Sequence, residues 1–68
     1  MPGTYKKVEI VGTSPLSFSE AAKAAVAEAS QTVRNTSWLE VIEQRGMIKD
    51  GKVVEFQVVL KIGFKVER

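Results

Sequence analysis

The chain has 68 residues, 44% of them hydrophobic and 26% charged, with ten Lys or Arg against eight Asp or Glu. It contains neither cysteine nor histidine, which excludes disulfides and thiolate chemistry, and we expect no metal site because the commonest metal ligand is absent. A single domain over residues 1–68 buries only about 60% of the surface of its unfolded chain, so oligomerisation is the remaining way to stabilise its core.

The N-terminal sequence MPGTYKKVEIVG has no long apolar run of the kind found in signal peptides. No stretch approaches the roughly 20 apolar residues that span a bilayer. Charges alternate in sign along the chain instead of forming a basic block, which argues against a nucleic-acid-binding tail. We therefore expect a soluble cytoplasmic protein with neither a nucleic acid nor a membrane as its partner.

The first predicted element is a strand over Tyr5–Val11. Val8 and Ile10 alternate with charged residues, which gives the strand one apolar face. The stretch from Gly12 to Pro15 is predicted to end the strand, because proline cannot donate to a sheet ladder and biases the residue before it away from helix.

A helix is predicted over residues 17–34. Ser17 lies three residues before Glu20, the spacing of a capping box, and neither proline nor glycine occurs before Asn35, the predicted stop. One stripe of the helix is apolar and rich in alanine, so another surface can approach it closely. The stripe consists of Phe18, Ala22, Ala25, Val26, Ala29 and Val33.

From Ser37 the hydrophobic period changes to two, and two alternating runs flank Asp50-Gly51. Asp-Gly between such runs is the strongest short-range signal for a β-hairpin. A two-residue turn places Trp38 opposite Gly63, Glu40 opposite Lys61, Ile42 opposite Val59 and Gln44 opposite Gln57. The other face of the hairpin is almost wholly apolar and is predicted to pack on the helix: Leu39, Val41, Met47, Val54, Phe56, Val58, Leu60, Ile62, Phe64 and Val66.

These elements predict an α+β fold in the order strand, helix, strand, strand, with a three-stranded antiparallel sheet and the last strand central. Trp38 is predicted to lie on the face away from the helix, with two β-branched residues and two glutamines: Ile42, Val59, Gln44 and Gln57. Two interpretations of Trp38 stay open, packing against a partner subunit or the rim of the core, and stacking on a ligand. A bulge, for which Gly46 is a candidate, would change part of this register.

Three segments, YKKVEIVGTSPLSFSEA, TVRNTSWLEVIEQRG and KDGKVVEFQVVLKIGF, together resemble the dodecins, a small flavin-binding family. The resemblance covers essentially the whole chain. It implies a β-α-β-β protomer whose sheet partly wraps its helix, and a hollow homododecamer with flavins stacked against tryptophans at two-fold contacts. The implied role is storage or buffering of riboflavin or FMN, and some bacterial members also bind coenzyme A.

The resemblance places the stacking tryptophan at Trp38, the glutamine that hydrogen-bonds the flavin ring at Gln57, and an arginine near the flavin at Arg45. The predicted hairpin register puts Arg45 on the opposite face from the other two. The resemblance therefore implies a bulge near Gly46, or an Arg45 that reaches in from a neighbouring subunit. Glu43 matches a position that is acidic in some members.

The chemistry of these residues agrees with a flavin ligand, because an electron-rich indole suits a flat, electron-poor ring and a glutamine amide can pair with a pyrimidine edge. Arg45 and Lys65 could contact an FMN phosphate or a ribityl hydroxyl. We expect no enzyme, since Glu40, Glu43 and Glu55 on strands are typical of solvated surface. The alternatives are a purely structural oligomer and a coenzyme A-binding module without a flavin role.

Overall fold

The computed structural model describes residues 3–67, and their elements follow the predicted order strand, helix, strand, strand. Strand β1 spans Tyr5–Ser14, helix α1 Phe18–Ala29, strand β2 Thr36–Lys49 and strand β3 Lys52–Lys65. The strands form one antiparallel sheet in the order β1-β3-β2. The predicted fold class and the central position of the last strand are confirmed. Among the described residues, no helix is long and apolar enough to cross a membrane.

Strand β1 continues past its predicted end at Val11 to Ser14. Gly12 lies within the strand because α1 passes directly over it. A Cβ atom at this position would lie 2.7 Å from the Cβ of Ala25 and would overlap the carbonyl oxygen of Ala21. This glycine therefore marks a close approach of helix to sheet, and the prediction that it ends the strand is wrong.

Helix α1 begins as predicted. Ser17 has extended backbone angles, and its hydroxyl oxygen accepts a hydrogen bond of 3.0 Å from the backbone N–H of Glu20. This bond satisfies one of the free N–H groups of the first turn.

The helix ends at Ala29, five residues before the predicted end at Arg34. Beyond it the backbone N–H of Thr32 donates to the carbonyl of Ala29, and the Thr32 hydroxyl donates to the same oxygen. Such local bonds from polar side chains compete with helix continuation. Asn35 is left-handed, with φ of 60°, but it turns the connection into β2 and does not stop the helix.

The core lies between α1 and the two strands β1 and β3. Ala21, which the predicted stripe omitted, is fully buried, and the ring of Phe18 packs edge-on against Phe56 at 5.0 Å between centroids. Helix α1 covers little of strand β2. Leu39 and Val41, predicted to pack under the helix, remain 43% and 48% exposed.

The hairpin turn forms as predicted, with positive φ at Asp50 and Gly51. The register between the strands does not follow the turn throughout. Ser37 and Ile42 are extra residues on β2, and Val54 is an extra residue on β3. The bulges at Ile42 and Val54 cancel, so the register is as predicted from Trp38 to Val41 and next to the turn, and it is shifted by one residue between them. The bulge at Ser37 shifts it again before Trp38, where Thr36 lies opposite Phe64.

A shift of one residue reverses which face each side chain occupies. Arg45 consequently lies opposite Gln57, on the same face as Trp38, and the prediction that it lies on the other face is wrong. Gln44 lies opposite Val58, on the helix side, so it is not beside Trp38. Met47 moves to the outer face, opposite Glu55. The bulge expected near Gly46 is present on the neighbouring strand, at Val54, beside the step from Met47 to Ile48, and a second bulge at Ile42 begins the shifted segment. Gly46 itself is paired with Phe56.

Candidate functional site

The outer face of the sheet, the one away from α1, carries the candidate residues. Its first feature is Trp38, whose indole lies across Gly63 on the neighbouring strand: a Cβ on that glycine would overlap the ring. The Tyr5 ring packs against the indole with 5.2 Å between centroids and 52° between planes. Trp38 nevertheless remains 42% exposed. Trp38, Tyr5 and Gly63 form what we call the aromatic corner.

An ion pair lies beside the aromatic corner. The Lys7 ammonium is 2.6 Å from the carboxylate of Glu40, and the two strands that carry them flank β3. Hydrogen bonding to Lys7 lowers the pKa of Glu40 below its ordinary value, with a smaller contribution in the same direction from the indole N–H of Trp38. The carboxylate therefore stays ionised next to the indole at neutral pH.

The second feature is a group of four polar residues nearer the hairpin turn, which we call the polar row: Glu43, Arg45, Glu55 and Gln57. Gln57 on β3 lies opposite Arg45 on β2 and opposite Thr13 on β1. Its side-chain nitrogen donates a 2.9 Å hydrogen bond to the carboxylate of Glu55. The guanidinium of Arg45 is 2.9 Å from the carboxylate of Glu43.

The aromatic corner and the polar row lie far apart within one chain. Gly63 and Gln57 are six residues apart on β3, a distance of about 20 Å at the usual rise of a strand. The amide of Gln57 bonds to Glu55, the residue still farther from Trp38 along the strand. One protomer therefore offers an aromatic surface and a hydrogen-bonding surface that a single three-ring ligand cannot bridge.

The structure brings the predicted residues to one face but divides them between its two ends. Glu43, Arg45 and Gln57 belong to the polar row, and Lys65 lies opposite Tyr5 at the end near Trp38. Tyr5 itself was missed, because no tight turn links β1 to β3 and their register cannot be counted from a turn. Within residues 3–67, no three or more carboxylates are grouped so that they could hold a metal ion.

Comparisons with known proteins agree on one family. Residues 4–67 match the family model described as Dodecin. The chain is 49% identical over 67 residues to the dodecin of Thermus thermophilus, covering 98% of this chain and 97% of that protein. It is 34% identical over 62 residues to the calcium dodecin of Mycobacterium tuberculosis, covering 91% and 87%. The solved dodecin from Streptomyces davaonensis matches with a TM-score of 0.95 and 40% identity over the whole of both chains.

Proposed function

The chain belongs to the dodecin family, and we propose that it binds riboflavin or FMN without turning it over, as a store or buffer that limits free flavin and its photochemistry. The observation that carries this proposal is the half-exposed indole of Trp38, fixed between the Gly63 backbone and the Tyr5 ring. A fixed aromatic surface suits a flat, electron-poor ring, and each such contact adds about 1 kcal/mol beyond the burial of area.

Family membership implies a homo-oligomer, and the shape of the chain supports one. Its radius of gyration is 14.0 Å and its extents are 54 × 20 × 13 Å, whereas a compact chain of this length has a radius of gyration of about 11 Å. Apolar side chains along β2 remain about half exposed, among them Leu39, Val41 and Ile42. A surface of this kind is usually covered by a partner. We propose twelve copies in a closed shell.

Assembly would also bring together the aromatic corner and the polar row, which lie far apart within one chain. Because one flavin ring cannot reach both Trp38 and Gln57 of the same chain, we propose that it binds between protomers, with the aromatic corner of one and the polar row of another. The indole then stacks on the ring system, and the amide of Gln57 pairs with its pyrimidine edge.

Charged residues complete the proposed site. The Arg45 side chain is 47% exposed while its guanidinium pairs with Glu43, so N–H groups remain available for an FMN phosphate or a ribityl hydroxyl. Glu43 holds this guanidinium on the face that also carries Gln57, the cross-strand partner of Arg45. Lys65, at the Trp38 end of the face, is a second donor for the same ligand groups.

Coenzyme A is a second candidate ligand, favoured by a recess between the connection after α1 and the end of β3 that shares Lys65 with the proposed flavin site. Three cationic side chains line this recess, Lys6, Arg34 and Lys65, and Glu67 pairs with Arg34 at 3.6 Å. Phosphate groups are the natural partners of such a cluster. Binding of coenzyme A that does not compete with riboflavin would place the two ligands at different sites.

The direct test combines native mass spectrometry with an absorption spectrum of the purified protein. We expect a dodecamer that binds added riboflavin and quenches its fluorescence, since the indole is an electron donor at contact distance. A well-folded monomer at micromolar concentration would contradict the assembly. A dodecamer that does not bind riboflavin or FMN would support the purely structural alternative.

A further inference from the structure

The hydrogen bond between Gln57 and Glu55 determines both the position of the glutamine side chain and which end of its amide faces Glu55. The two residues are two apart on β3, so their side chains share the outer face, and both are half-buried. An amide has two different ends, a carbonyl oxygen that accepts and an NH2 group that donates. An ionised carboxylate can only accept. The amide nitrogen of Gln57 therefore faces Glu55 wherever this bond is made.

Arg45, the charged residue on the neighbouring strand, cannot replace Glu55 as the acceptor for the Gln57 amide. Arg45, directly opposite Gln57, offers only donors and is held by Glu43 at 2.9 Å. A guanidinium cannot accept the N–H groups of the amide. Glu55 consequently has no competition from Arg45 for the NH2 end, and the bond at 2.9 Å is charge-assisted, which makes it stronger than a bond between neutral groups.

We infer that Glu55 is a positioning residue for Gln57 that presents one amide N–H and the carbonyl oxygen together to the ligand. One N–H of the amide is used by Glu55, which leaves one donor beside one acceptor. This pair is complementary to a cyclic imide edge, in which a ring N–H lies beside a ring carbonyl, as in the pyrimidine ring of a flavin. The inference rests on the proposed function and gives it a specificity for imide-bearing rings.

A double-mutant cycle separates this role from a general effect on the fold. Glu55→Gln keeps the size of the side chain but removes the group that can only accept. We expect it to weaken riboflavin binding by about two- to tenfold, because the amide of Gln57 must then be immobilised when the ligand binds. In a Gln57→Ala background the same change at 55 should alter the affinity by less than about twofold. Riboflavin is the probe because it has no phosphate whose charge Glu55 could repel.

The matched control is Glu9→Gln, the same change on the same face at a position opposite Lys61, away from Gln57. A second measurement uses riboflavin methylated at the imide nitrogen. We expect methylation to weaken binding to the parent protein and to have little effect on the Gln57→Ala variant. All variants are first shown to assemble by native mass spectrometry.

Equal loss from Glu55→Gln in both backgrounds, or no loss in the parent background, would overturn the positioning role. So would equal binding of methylated and unmethylated riboflavin by the parent protein. If the parent protein binds no riboflavin at all, the proposed function fails together with the inference, and that outcome is visible before any variant is made.

Discussion

The indole of Trp38 occupies the space that a side chain at position 63 would fill. The two residues lie opposite each other on β2 and β3, and an ideal Cβ on Gly63 would overlap the indole ring. A tryptophan on an exposed sheet face would otherwise sample several rotamers. Here the backbone of Gly63 lies beneath it and the ring of Tyr5 beside it. The glycine is therefore part of the proposed binding surface, although it has no side chain.

Gly63→Ala should displace the indole while leaving Trp38 in the sequence. The methyl group would require the ring to move and to lose its packing against Tyr5. We expect a changed near-ultraviolet circular dichroism spectrum and riboflavin affinity lower by about two- to tenfold, since aromatic contacts contribute about 0.5–1.5 kcal/mol.

The matched control is Gly46→Ala on β2, where an added Cβ would lie 3.3 Å from the side chain of Val53 and clear of Trp38. Its aromatic spectrum should resemble that of the parent protein. An unchanged spectrum and affinity in Gly63→Ala would show that the indole does not depend on the glycine.

Gly12→Ala tests the contact between helix and sheet. The new methyl group would overlap the Ala21 carbonyl and approach Ala25 at 2.7 Å, so α1 must lift from β1. We expect a loss of about 1–3 kcal/mol in the free energy of unfolding, measured by urea denaturation. Gly51→Ala is the comparison, because its cost arises from positive φ alone, with nothing within 4 Å of the added atom. Equal stability of Gly12→Ala and the parent protein would contradict the close packing.

The Lys7–Glu40 ion pair predicts a dependence of stability on acid. The pKa of Glu40 is lowered in the folded protein, so its contribution to stability is present above the ordinary pKa of the unfolded chain and is lost as the pH falls through the lowered value. Glu40→Gln should therefore flatten the decline of unfolding free energy as the pH falls below about 5. Glu28→Gln, on the exposed side of α1, is the control. If the unfolding free energy of Glu40→Gln falls as steeply with acid as that of the parent protein, the ion pair does not contribute to the acid dependence of stability.

Arg45→Ala tests whether Arg45 contacts the phosphate of FMN or its ring system. Because the guanidinium is partly exposed and carries several N–H donors, its loss should weaken FMN about fivefold more than riboflavin, which lacks the phosphate. Titration of both flavins into the variant gives the ratio directly. Lys65→Ala, measured in the same way, shows whether the cation at the other end of the face serves the phosphate instead. Equal losses for the two flavins in Arg45→Ala would exclude a phosphate contact at that residue.

Local signals in the sequence predict the parts of the fold that depend on local chemistry. Asp50-Gly51 predicts the hairpin because both residues must adopt positive φ, and Ser17 predicts the helix start because its hydroxyl satisfies a free N–H. The helix end is less predictable, because Thr32 can bond either to the helix or to its own connection.

The faces of the candidate residues depend on features that no local signal marks. Ile42 and Val54 have ordinary strand chemistry, yet each is an extra residue in its strand, and together they bring Arg45 to the side of Gln57. Counting from the turn therefore gives the correct partner for Trp38 and the wrong one for Gln57. The contact between the rings of Tyr5 and Trp38 depends on the register of β1 against β3. No turn joins these two strands, so their register cannot be counted from the sequence.

The central claim is that Trp38 stacks on a bound flavin, and riboflavin titration of Trp38→Ala against the parent protein tests it most directly. Both proteins are first shown to form the same assembly by native mass spectrometry. We predict that the parent protein binds riboflavin and quenches its fluorescence, and that the variant loses about 1–3 kcal/mol of binding, roughly 5- to 150-fold in affinity, together with most of the quenching. Unchanged affinity and unchanged quenching in an assembled Trp38→Ala variant would show that the tryptophan is a structural contact and that the flavin does not stack on it.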